Sequence, residues 1–254
     1  MKPLILISND DGIEAAGVRR LVEWLSPMAD IVCVCPDGPR SAQSMAITVN
    51  TPLRAERLPD LHGAQMFKVN GTPVDCIKLS MHRLLDRRPD MIVAGINHGS
   101  NAAVNVVYSG TMGATMEGCI FGIPSVGFSL CDHDPNADFS HCREWIDKIT
   151  AATLANGLPE GVCLNVNFPK EPAMPSQMRV VRAARGKWSD EFKEYIDPHG
   201  RPFYWLQGRF LNEEPEAKDT DEWCLAHGIV SVVPTMVDRT SPDAPSLRWL
   251  RSLS

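Results

Sequence analysis

Two adjacent carboxylates near the start of the chain are the clearest candidates for chemistry. Asp10 and Asp11 follow residues 4–7, four consecutive apolar residues of the kind found in a strand buried on both faces of a parallel sheet. A pattern of apolar residues at helical spacing then occupies residues 18–25. In open α/β sheets the ligand crevice lies at the carboxyl ends of the strands. Because neighbouring carboxylates repel each other and a cation relieves that repulsion, the pair predicts a divalent-metal site.

A purely structural explanation competes with this one. An Asp often caps a helix, and Asp-Gly often forms a turn, so Asp10 could cap the first helix while Asp11 and Gly12 make a turn. That explanation gives each residue a local role, but it leaves the charge repulsion between two adjacent carboxylates unrelieved. We therefore take the metal site as the working hypothesis.

Two further loops bring oxygen donors to the same predicted edge. A second buried strand over residues 30–36 leads into the polar loop 37–44, and a third over residues 90–96 ends next to an asparagine. The predicted ligands are Asp10, Asp11, Ser41 and Asn97. Oxygen donors of this kind suit Mg²⁺, Mn²⁺ or Ca²⁺, whereas Zn²⁺ prefers nitrogen or sulfur. We expect one divalent cation, with coordination positions left open for water and substrate.

A candidate anion site lies at the same edge. Ser109, Gly110 and Thr111 precede a helix of small residues, and the N-terminus of a helix offers free N–H groups to an anion. A cation beside an anion site is the arrangement for phosphoryl transfer to water, in which the metal lowers the pKa of a bound water and polarises the phosphoryl oxygens.

The alternation of strands and helices extends to about residue 170 and predicts an α/β, Rossmann-like, doubly wound and mostly parallel sheet. The residues beyond it are richer in proline and aromatic side chains, with seven aromatics in 186–212. We expect a catalytic domain over 1–185 and a C-terminal extension over 186–254, with a β-hairpin and a closing strand. Three local expectations are a short strand at 45–49, a helix over 139–154 and an exposed acidic segment at 213–222.

Composition excludes several classes of protein. The net charge of −6 and the absence of long charge runs argue against a nucleic-acid partner. No apolar stretch is long enough for a membrane span, and the first residues do not resemble a signal peptide. Eight scattered cysteines without a Cys-x-x-Cys pair favour a reducing cytoplasm. Dinucleotide-binding, P-loop and serine-hydrolase motifs are missing.

Five short motifs, taken in order, resemble the SurE family (survival protein E, 5′/3′-nucleotidases). They are Ser-Asn-Asp-Asp-Gly at 8–12, the loop 36–48 with its Arg-Ser pair, Thr-Pro-Val-Asp-Cys-Ile-Lys at 72–78, Gly-Ile-Asn-His-Gly at 95–99 and Tyr-Ser-Gly-Thr at 108–111. Residues 220–221 and 228–234 resemble the family's C-terminal end. Each motif alone is weak, but five in order are highly specific.

The resemblance implies a metal-dependent phosphatase that hydrolyses nucleoside monophosphates, at the 5′ and also the 3′ position. The metal would be held by the four ligands named above, with Asp10 or Asp11 orienting the attacking water or taking its proton. The residues expected to contact the phosphate or substrate are Asn9, Asn101, Ser109, Gly110 and Thr111. The resemblance also implies a homodimer or homotetramer whose C-terminal extension reaches a neighbouring subunit. The aromatic residues expected in those contacts are Trp188, Phe203, Tyr204 and Trp205.

The chain departs from the family pattern at two places. Ala42 follows the Arg-Ser pair where the family usually has glycine, and residues 102–107 replace a turn that usually contains Gly-Asp. Neither change removes a predicted ligand. A non-catalytic nucleotide or metal sensor on the same fold is the alternative function, and it predicts the loss of a metal ligand. A purely structural scaffold would leave the Asp pair unexplained.

Overall fold

The computed structural model of the protein describes residues 2–170, 175 and 177–240. Its strands are Leu4–Ser8 (β1), Asp30–Pro36 (β2), Ala55–Leu61 (β3), Ala64–Val69 (β4), Met91–His98 (β5), Ser125–Leu130 (β6), Val162–Phe168 (β7), Met178–Val180 (β8), Gly186–Ser189 (β9), Phe192–Ile196 (β10), Pro202–Leu206 (β11), Arg209–Asn212 (β12) and Val230–Met236 (β13). Its α-helices are Ala16–Leu25 (α1), Pro73–Leu79 (α2), Gly110–Ile120 (α3), Arg143–Asn156 (α4) and Asp221–Ala226 (α5). A π-helical turn spans Ser80–Leu84, and 3₁₀ turns span Ala103–Val107 and Ser140–Cys142.

Nine of the described strands form one sheet in the order β3-β4-β2-β1-β5-β6-β7-β13-β8. The six consecutive strands from β4 to β7 in this order are parallel to one another. At the two ends, β3 is antiparallel to β4, β13 is antiparallel to β7, and β8 is parallel to β13. Helices cover both faces, since α1 and α4 share one apolar core while α2 and α3 pack in another. The prediction of a Rossmann-like, doubly wound sheet is confirmed.

The first strand shows why its sequence lacks polar alternation. Ile5 and Ile7 pack in the core on one face of the sheet, while Leu4 and Leu6 pack in the core on the other. Because successive side chains of a strand point to opposite faces, a strand covered on both sides must be apolar throughout. The strand therefore ends in a fully buried environment, and the polar residues after it lie at the sheet edge.

The helix-capping explanation for Asp10 is wrong. Helix α1 begins only at Ala16, and its N-cap residue, Ala15, makes no side-chain hydrogen bond to the helix. The predicted apolar stripe of α1 is fully buried from Val18 to Leu25 at the expected spacing. The carboxylates thus lie in a separate turn between β1 and α1, so helix capping does not explain them.

Two local expectations differ from the structure: nearby polar groups compete for the backbone of residues 45–49, and the fourth helix forms with a later start. Residues 45–49 are not a strand: the Thr48 N–H donates to both carboxylate oxygens of Asp75 (3.0 and 3.2 Å), and the Ala46 carbonyl accepts from the Thr72 hydroxyl (2.7 Å). These bonds attach the segment to the start of α2 instead of to a neighbouring strand. The helix expected over 139–154 begins later, at Arg143, after the 3₁₀ turn at Ser140–Cys142.

The C-terminal part of the chain forms two antiparallel ribbons and then returns to the sheet. Strands β10 and β11 pair as the expected hairpin, whose turn is at 197–201, and β9 pairs with β12 at its base. Strand β13 lies between β7 and β8 inside the main sheet. The domain boundary at residue 185 stays a prediction, since the closing strand is an integral part of the central sheet. Each helix in the described part of the chain is too short or too polar to cross a membrane.

Two alanines in the loops that depart from the SurE pattern have left-handed backbone conformations. Ala42 has a φ of 60° and Ala103 a φ of 51°. In this region the β-carbon of an L-residue lies close to its own carbonyl oxygen, at a cost of roughly 1–2 kcal/mol that glycine does not incur. The backbone geometry therefore gives a physical reason why glycine would be favoured at both places.

We expect Ala42→Gly to stabilise the protein. Removing the β-carbon relieves roughly 1–2 kcal/mol of strain, and the extra freedom of glycine in the unfolded chain gives back about 0.4–1 kcal/mol. The net gain should raise Tm by about 1–3 °C in a thermal melt of a chain of this size. Ala151→Gly, at an exposed position inside α4, is the control and should lower Tm. A lower Tm for Ala42→Gly would contradict the strain assignment.

Candidate active site

The turn after β1 is held by hydrogen bonds that place its two carboxylates at the sheet edge. The side-chain amide of Asn9 donates to the Gly12 carbonyl (2.9 Å), and its oxygen accepts from the Gly12 N–H (3.2 Å). Gly12 has a φ of 98°, which a side chain rarely allows. Asn9 was predicted as a substrate contact. In the structure it is fully buried, and both polar atoms of its side chain form hydrogen bonds within this turn.

Asp10 is buried against the N-terminus of α3. Its carboxylate accepts a short hydrogen bond from the Thr111 hydroxyl, and only 4% of the residue is exposed. Gly110 allows this approach, because a β-carbon on it would lie 2.7 Å from the β-carbon of Asp10. The predicted anion site is thus in contact with the predicted metal ligand. Ser109 is also engaged, since its hydroxyl accepts from the Met112 N–H (3.0 Å) as the N-cap of α3.

Burial makes the charge on Asp10 costly. Loss of hydration, followed by repulsion from Asp11, raises the pKa of the Asp10 carboxyl from 3.8 to about 6, although the bond from Thr111 opposes the shift. A cation placed beside the pair would favour the ionised form. The buried and poorly compensated carboxylate is therefore the observation in this structure that best fits a bound cation.

Asp11 is more accessible and has a different partner. Its side chain is 19% exposed, and one carboxylate oxygen lies 3.3 Å from the backbone N–H of His98 and 3.4 Å from His98 Nδ1. The His98 ring packs edge-on against Phe139 with 4.9 Å between centroids. His98, which was not predicted as a site residue, thus limits the orientations available to Asp11.

Ser41 and Asn97 reach the same edge from the two strands that flank β1. The N–H of Arg40 donates to the Asp10 carbonyl (2.7 Å), which fixes the loop carrying Ser41 beside the turn. The Asn97 amide nitrogen donates to the Gly99 carbonyl (2.8 Å), so its oxygen is the atom left for a cation. Asn97 follows an irregularity in the pairing of β5 with β6, so its side chain is not placed by regular strand geometry.

Asn101 belongs to a network of buried amides below the site. Its side-chain nitrogen donates to Ser129 (2.8 Å), and its backbone N–H donates to the side chain of Asn167 (2.8 Å). Asn165 donates to the Asn101 carbonyl (2.8 Å), and Asn167 donates to Asn165 (2.9 Å). The network fixes the segment between β5 and the 3₁₀ turn, because buried polar groups that are fully bonded hold one arrangement.

A cavity of about 490 Å³ opens where these segments meet. The predicted site residues in its lining are Asp10, Ser41, Asn97, Asn101 and Ser109. Seven further lining residues were not predicted as site residues from the sequence: His98, Asn105, Tyr108, His133, Trp188, Phe210 and Glu222. A cavity of about 570 Å³ lies near the amino ends of β1 and β2, away from every predicted site residue.

Two of the missed residues were expected in other surroundings. Trp188 was expected at a subunit contact, but its indole N–H donates to Asn105 of the same chain (2.9 Å) and its ring meets that of Phe210 edge-on. Glu222 was expected to be exposed, yet it is half-buried, and burial and the nearby Asp221 raise the pKa of its carboxyl to about 7. A tryptophan or a lone acid in a polar segment does not indicate a cavity by its sequence context. The cavity forms only when the fold brings distant segments together.

Within the described part of the chain, no three or more His, Cys, Asp and Glu side chains converge on one point to hold a metal ion. The four predicted ligands include only two residues of these types, so such a cluster is not expected. The donor set of carboxylate, hydroxyl and amide oxygens suits a hard cation with several water ligands.

Comparison with known proteins identifies the family. A family profile described as "Survival protein SurE" matches residues 5–190. The chain belongs to the SurE family. It is 48% identical to the 5′-nucleotidase SurE of Phocaeicola vulgatus over 240 residues, which cover 94% of this chain and 93% of that protein. The 5′-nucleotidase SurE of Bacteroides fragilis is also 48% identical, with 94% of each chain covered. The crystal structure of SurE from Aquifex aeolicus superposes with a TM-score of 0.84 at 33% identity, covering 98% of this chain and 100% of that one.

The raised pKa of Asp10 predicts a pH-dependent gain in stability for Asp10→Asn in the metal-free protein. Between pH 3.8 and about 6 the folded protein keeps the proton of Asp10 while the unfolded chain loses it, so the aspartate destabilises the fold as the pH rises. The shift of about two pKa units corresponds to roughly 3 kcal/mol above pH 6. Denaturant unfolding in EDTA should therefore show the Asp10→Asn variant more stable than wild type at pH 8, with the difference vanishing near pH 4. A difference independent of pH would contradict the assignment.

Proposed function

We propose that this protein is a metal-dependent 5′-nucleotidase, which hydrolyses nucleoside monophosphates to nucleoside and phosphate. Its SurE relatives are named 5′-nucleotidases and match it over nearly their full length. The observation that supports the proposal most directly is the buried carboxylate of Asp10 beside Asp11, at the edge of the cavity of about 490 Å³. Activity at the 3′ position is a further part of the proposal.

Four side chains of this chain would hold the divalent cation, for which we propose Mg²⁺ or Mn²⁺, with Ca²⁺ as another occupant. They are Asp10, Asp11, Ser41 and Asn97. When bound, such a cation lowers the pKa of a water and offsets charge on the phosphoryl oxygens. The carboxylate pair supplies the negative charge of the site, and Ser41 and Asn97 add neutral oxygens.

The protein's own groups would orient the reactants. Asp11 is the better candidate to take the proton of the attacking water, because it is more exposed than Asp10 and is held by His98. Asp10 is anchored by Thr111 and would keep the carboxylate pair in place. The N-terminus of α3 would position the phosphate through the backbone N–H of Gly110 and the helix dipole, since the Ser109 N–H already donates to the Asn105 carbonyl (3.1 Å).

Asp11→Asn should abolish phosphate release from 5′-AMP while leaving the fold intact. The change removes one of two charged ligands and the proposed base, and loss of a general base alone commonly costs about 10²–10⁴-fold in rate. The measurement is phosphate release in saturating Mn²⁺ or Mg²⁺, with cation affinity determined by titration. Asp60→Asn, at an exposed position in β3, is the matched control and should keep full activity.

The same assay separates an enzyme from a non-catalytic sensor. Wild-type protein should lose activity in EDTA and recover it when Mg²⁺ or Mn²⁺ is added back. Nucleotide binding without phosphate release under any of these conditions would support the sensor. Near wild-type turnover of the Asp11→Asn variant at saturating cation would place the chemistry elsewhere.

We propose that the protein forms a homodimer or homotetramer through the hairpin β10–β11. Both strands of the hairpin are exposed along their whole length, and Phe192, Tyr204 and Trp205 are each at least 60% exposed. An isolated two-stranded ribbon is marginal in water, and aromatic surfaces of this kind are typical of interfaces. Phe203 lies on the same ribbon, whereas Trp188 already has a partner in its own chain.

Replacing residues 192–206 with a two-residue Asn-Gly turn should convert the oligomer into monomers. The Gln207 N–H donates to the Glu191 carbonyl (2.7 Å), so the two ends of the excised segment are already adjacent. Light scattering at micromolar concentration gives the mass of wild-type and shortened protein. A shortened protein that keeps the wild-type mass would show that the hairpin is not the assembly element.

We also propose a location in a reducing cytoplasm. All eight cysteines are free thiols, and seven of them are buried among other side chains. Structural cysteines of this kind behave as small apolar residues, and their number favours a compartment in which thiols stay reduced.

A further inference from the structure

One wall of the cavity comes from segments outside the parallel sheet. Asp221, the first residue of α5, is fully buried, and its carboxylate accepts from the backbone N–H groups of Ala103, Ala184 and Glu222, each at 2.8 Å. It thereby joins α5 to the 3₁₀ turn at Ala103–Val107 and to the segment before β9. The result is that Glu222 is held at the cavity wall.

One aromatic ring of this wall is bonded to the same 3₁₀ turn, and a second ring packs against it. Trp188 on β9 donates to Asn105 (2.9 Å), and its ring lies edge-on to Phe210 on β12, with 6.3 Å between centroids. The cavity is therefore bounded by oxygen donors of the sheet edge and by a wall that combines aromatic rings with a carboxyl group.

The carboxyl group of Glu222 lacks a partner among the residues that the structure describes. It makes no hydrogen bond or ion pair with them, although it is half-buried. Asp221 on its own helix and Cys131 after β6 interact with it electrostatically, and His98 and His133 line the same cavity. Burial and Asp221 raise the pKa of Glu222 to about 7. A half-buried carboxylate without a donor is unfavourable, and a ligand that supplies N–H groups would satisfy it.

We propose that Glu222 is a specificity-determining residue that accepts hydrogen bonds from the N–H groups of the substrate's nucleobase. The proposal rests on the proposed nucleotidase function. The neighbouring rings suit the flat face of a base, because base–aromatic stacking tolerates any base. A carboxylate offers two acceptors, which match the adjacent N1–H and N2–H donors of guanine. Adenine presents one donor and one acceptor at the same edge, so it matches the carboxylate less well.

The test is the ratio of kcat/KM for 5′-GMP to that for 5′-AMP, measured at pH 8 where Glu222 is mostly ionised. Glu222→Gln replaces one acceptor with a donor, which opposes guanine and suits adenine. We expect the ratio to fall about tenfold or more, the size expected for losing one hydrogen bond to a charged group. Because both substrates share the cation and the phosphate site, a merely structural effect would cancel in the ratio.

Two control variants sharpen the result. Glu216→Gln changes an exposed acid just before the same helix and should leave the ratio unchanged. Trp188→Ala removes a stacking surface and should lower kcat/KM for both nucleotides by similar factors. Since the Glu222 carboxyl has no partner in the described part of the chain, we expect the Glu222→Gln protein to fold normally, and its Tm checks this directly.

The outcomes separate this inference from the proposed function. Hydrolysis of both nucleotides with an unchanged ratio in the Glu222→Gln protein would overturn the inference and leave the nucleotidase function standing. A second outcome is an equal loss of kcat/KM for 5′-GMP and 5′-AMP in the Glu222→Gln protein, with no loss for the 2′-deoxy form of either nucleotide. That result would assign Glu222 to the ribose and overturn base recognition. No hydrolysis of any nucleoside monophosphate by wild type would overturn the proposed function, and this inference with it.

Discussion

Burial of the Asp10 carboxylate at the end of β1 is the constraint on which the candidate site depends. An ionised group in that position loses its hydration, and Asp11 beside it adds repulsion. The Thr111 hydroxyl donates a short hydrogen bond to the Asp10 carboxylate, and the backbone N–H groups of Asp10 and Thr111 add to this partial compensation. This arrangement favours a cation, and it lowers the stability of the metal-free fold at neutral pH. Such a cost is common at functional sites, where local stability is lost to keep reactive groups in place.

Several long-range hydrogen bonds join the site to the remainder of the fold. The Arg40 N–H bonds to the Asp10 carbonyl, and the Ser44 N–H bonds to the Tyr108 carbonyl (3.0 Å), so the loop carrying Ser41 spans from the first strand to the start of α3. Gly113 permits this path, since a β-carbon there would lie 2.2 Å from the Ser44 carbonyl oxygen. The geometry of the site is therefore a property of packing between distant segments and does not reside in any one motif.

The C-terminal segment serves the cavity as well as the proposed assembly. Its base, β9 and β12, contributes Trp188 and Phe210 to the cavity wall, while the hairpin β10–β11 exposes its aromatic residues to solvent. Asp221 connects the segment to the 3₁₀ turn beside the site, and β13 then enters the central sheet. A change in the extension can thus alter the substrate cavity, so variants of the hairpin are best confined to residues 192–206.

The sequence by itself determined the fold class and the position of the carboxylate pair. Buried parallel strands such as β1 need uninterrupted apolar residues, and the carboxyl ends of such strands meet at one edge, so Asp10, Ser41 and Asn97 could be predicted to lie together. The tertiary structure decided what local patterns do not encode. Residues 46–48 bond to the start of α2 instead of forming a strand, and the Thr111 hydroxyl donates to Asp10. Glu222 and Trp188 reach the cavity because Asp221 and Trp188 bond to the 3₁₀ turn at Ala103–Val107, more than 80 residues away in the chain. Contacts of that kind depend on where the folded chain brings separate segments, and no spacing within either segment predicts them.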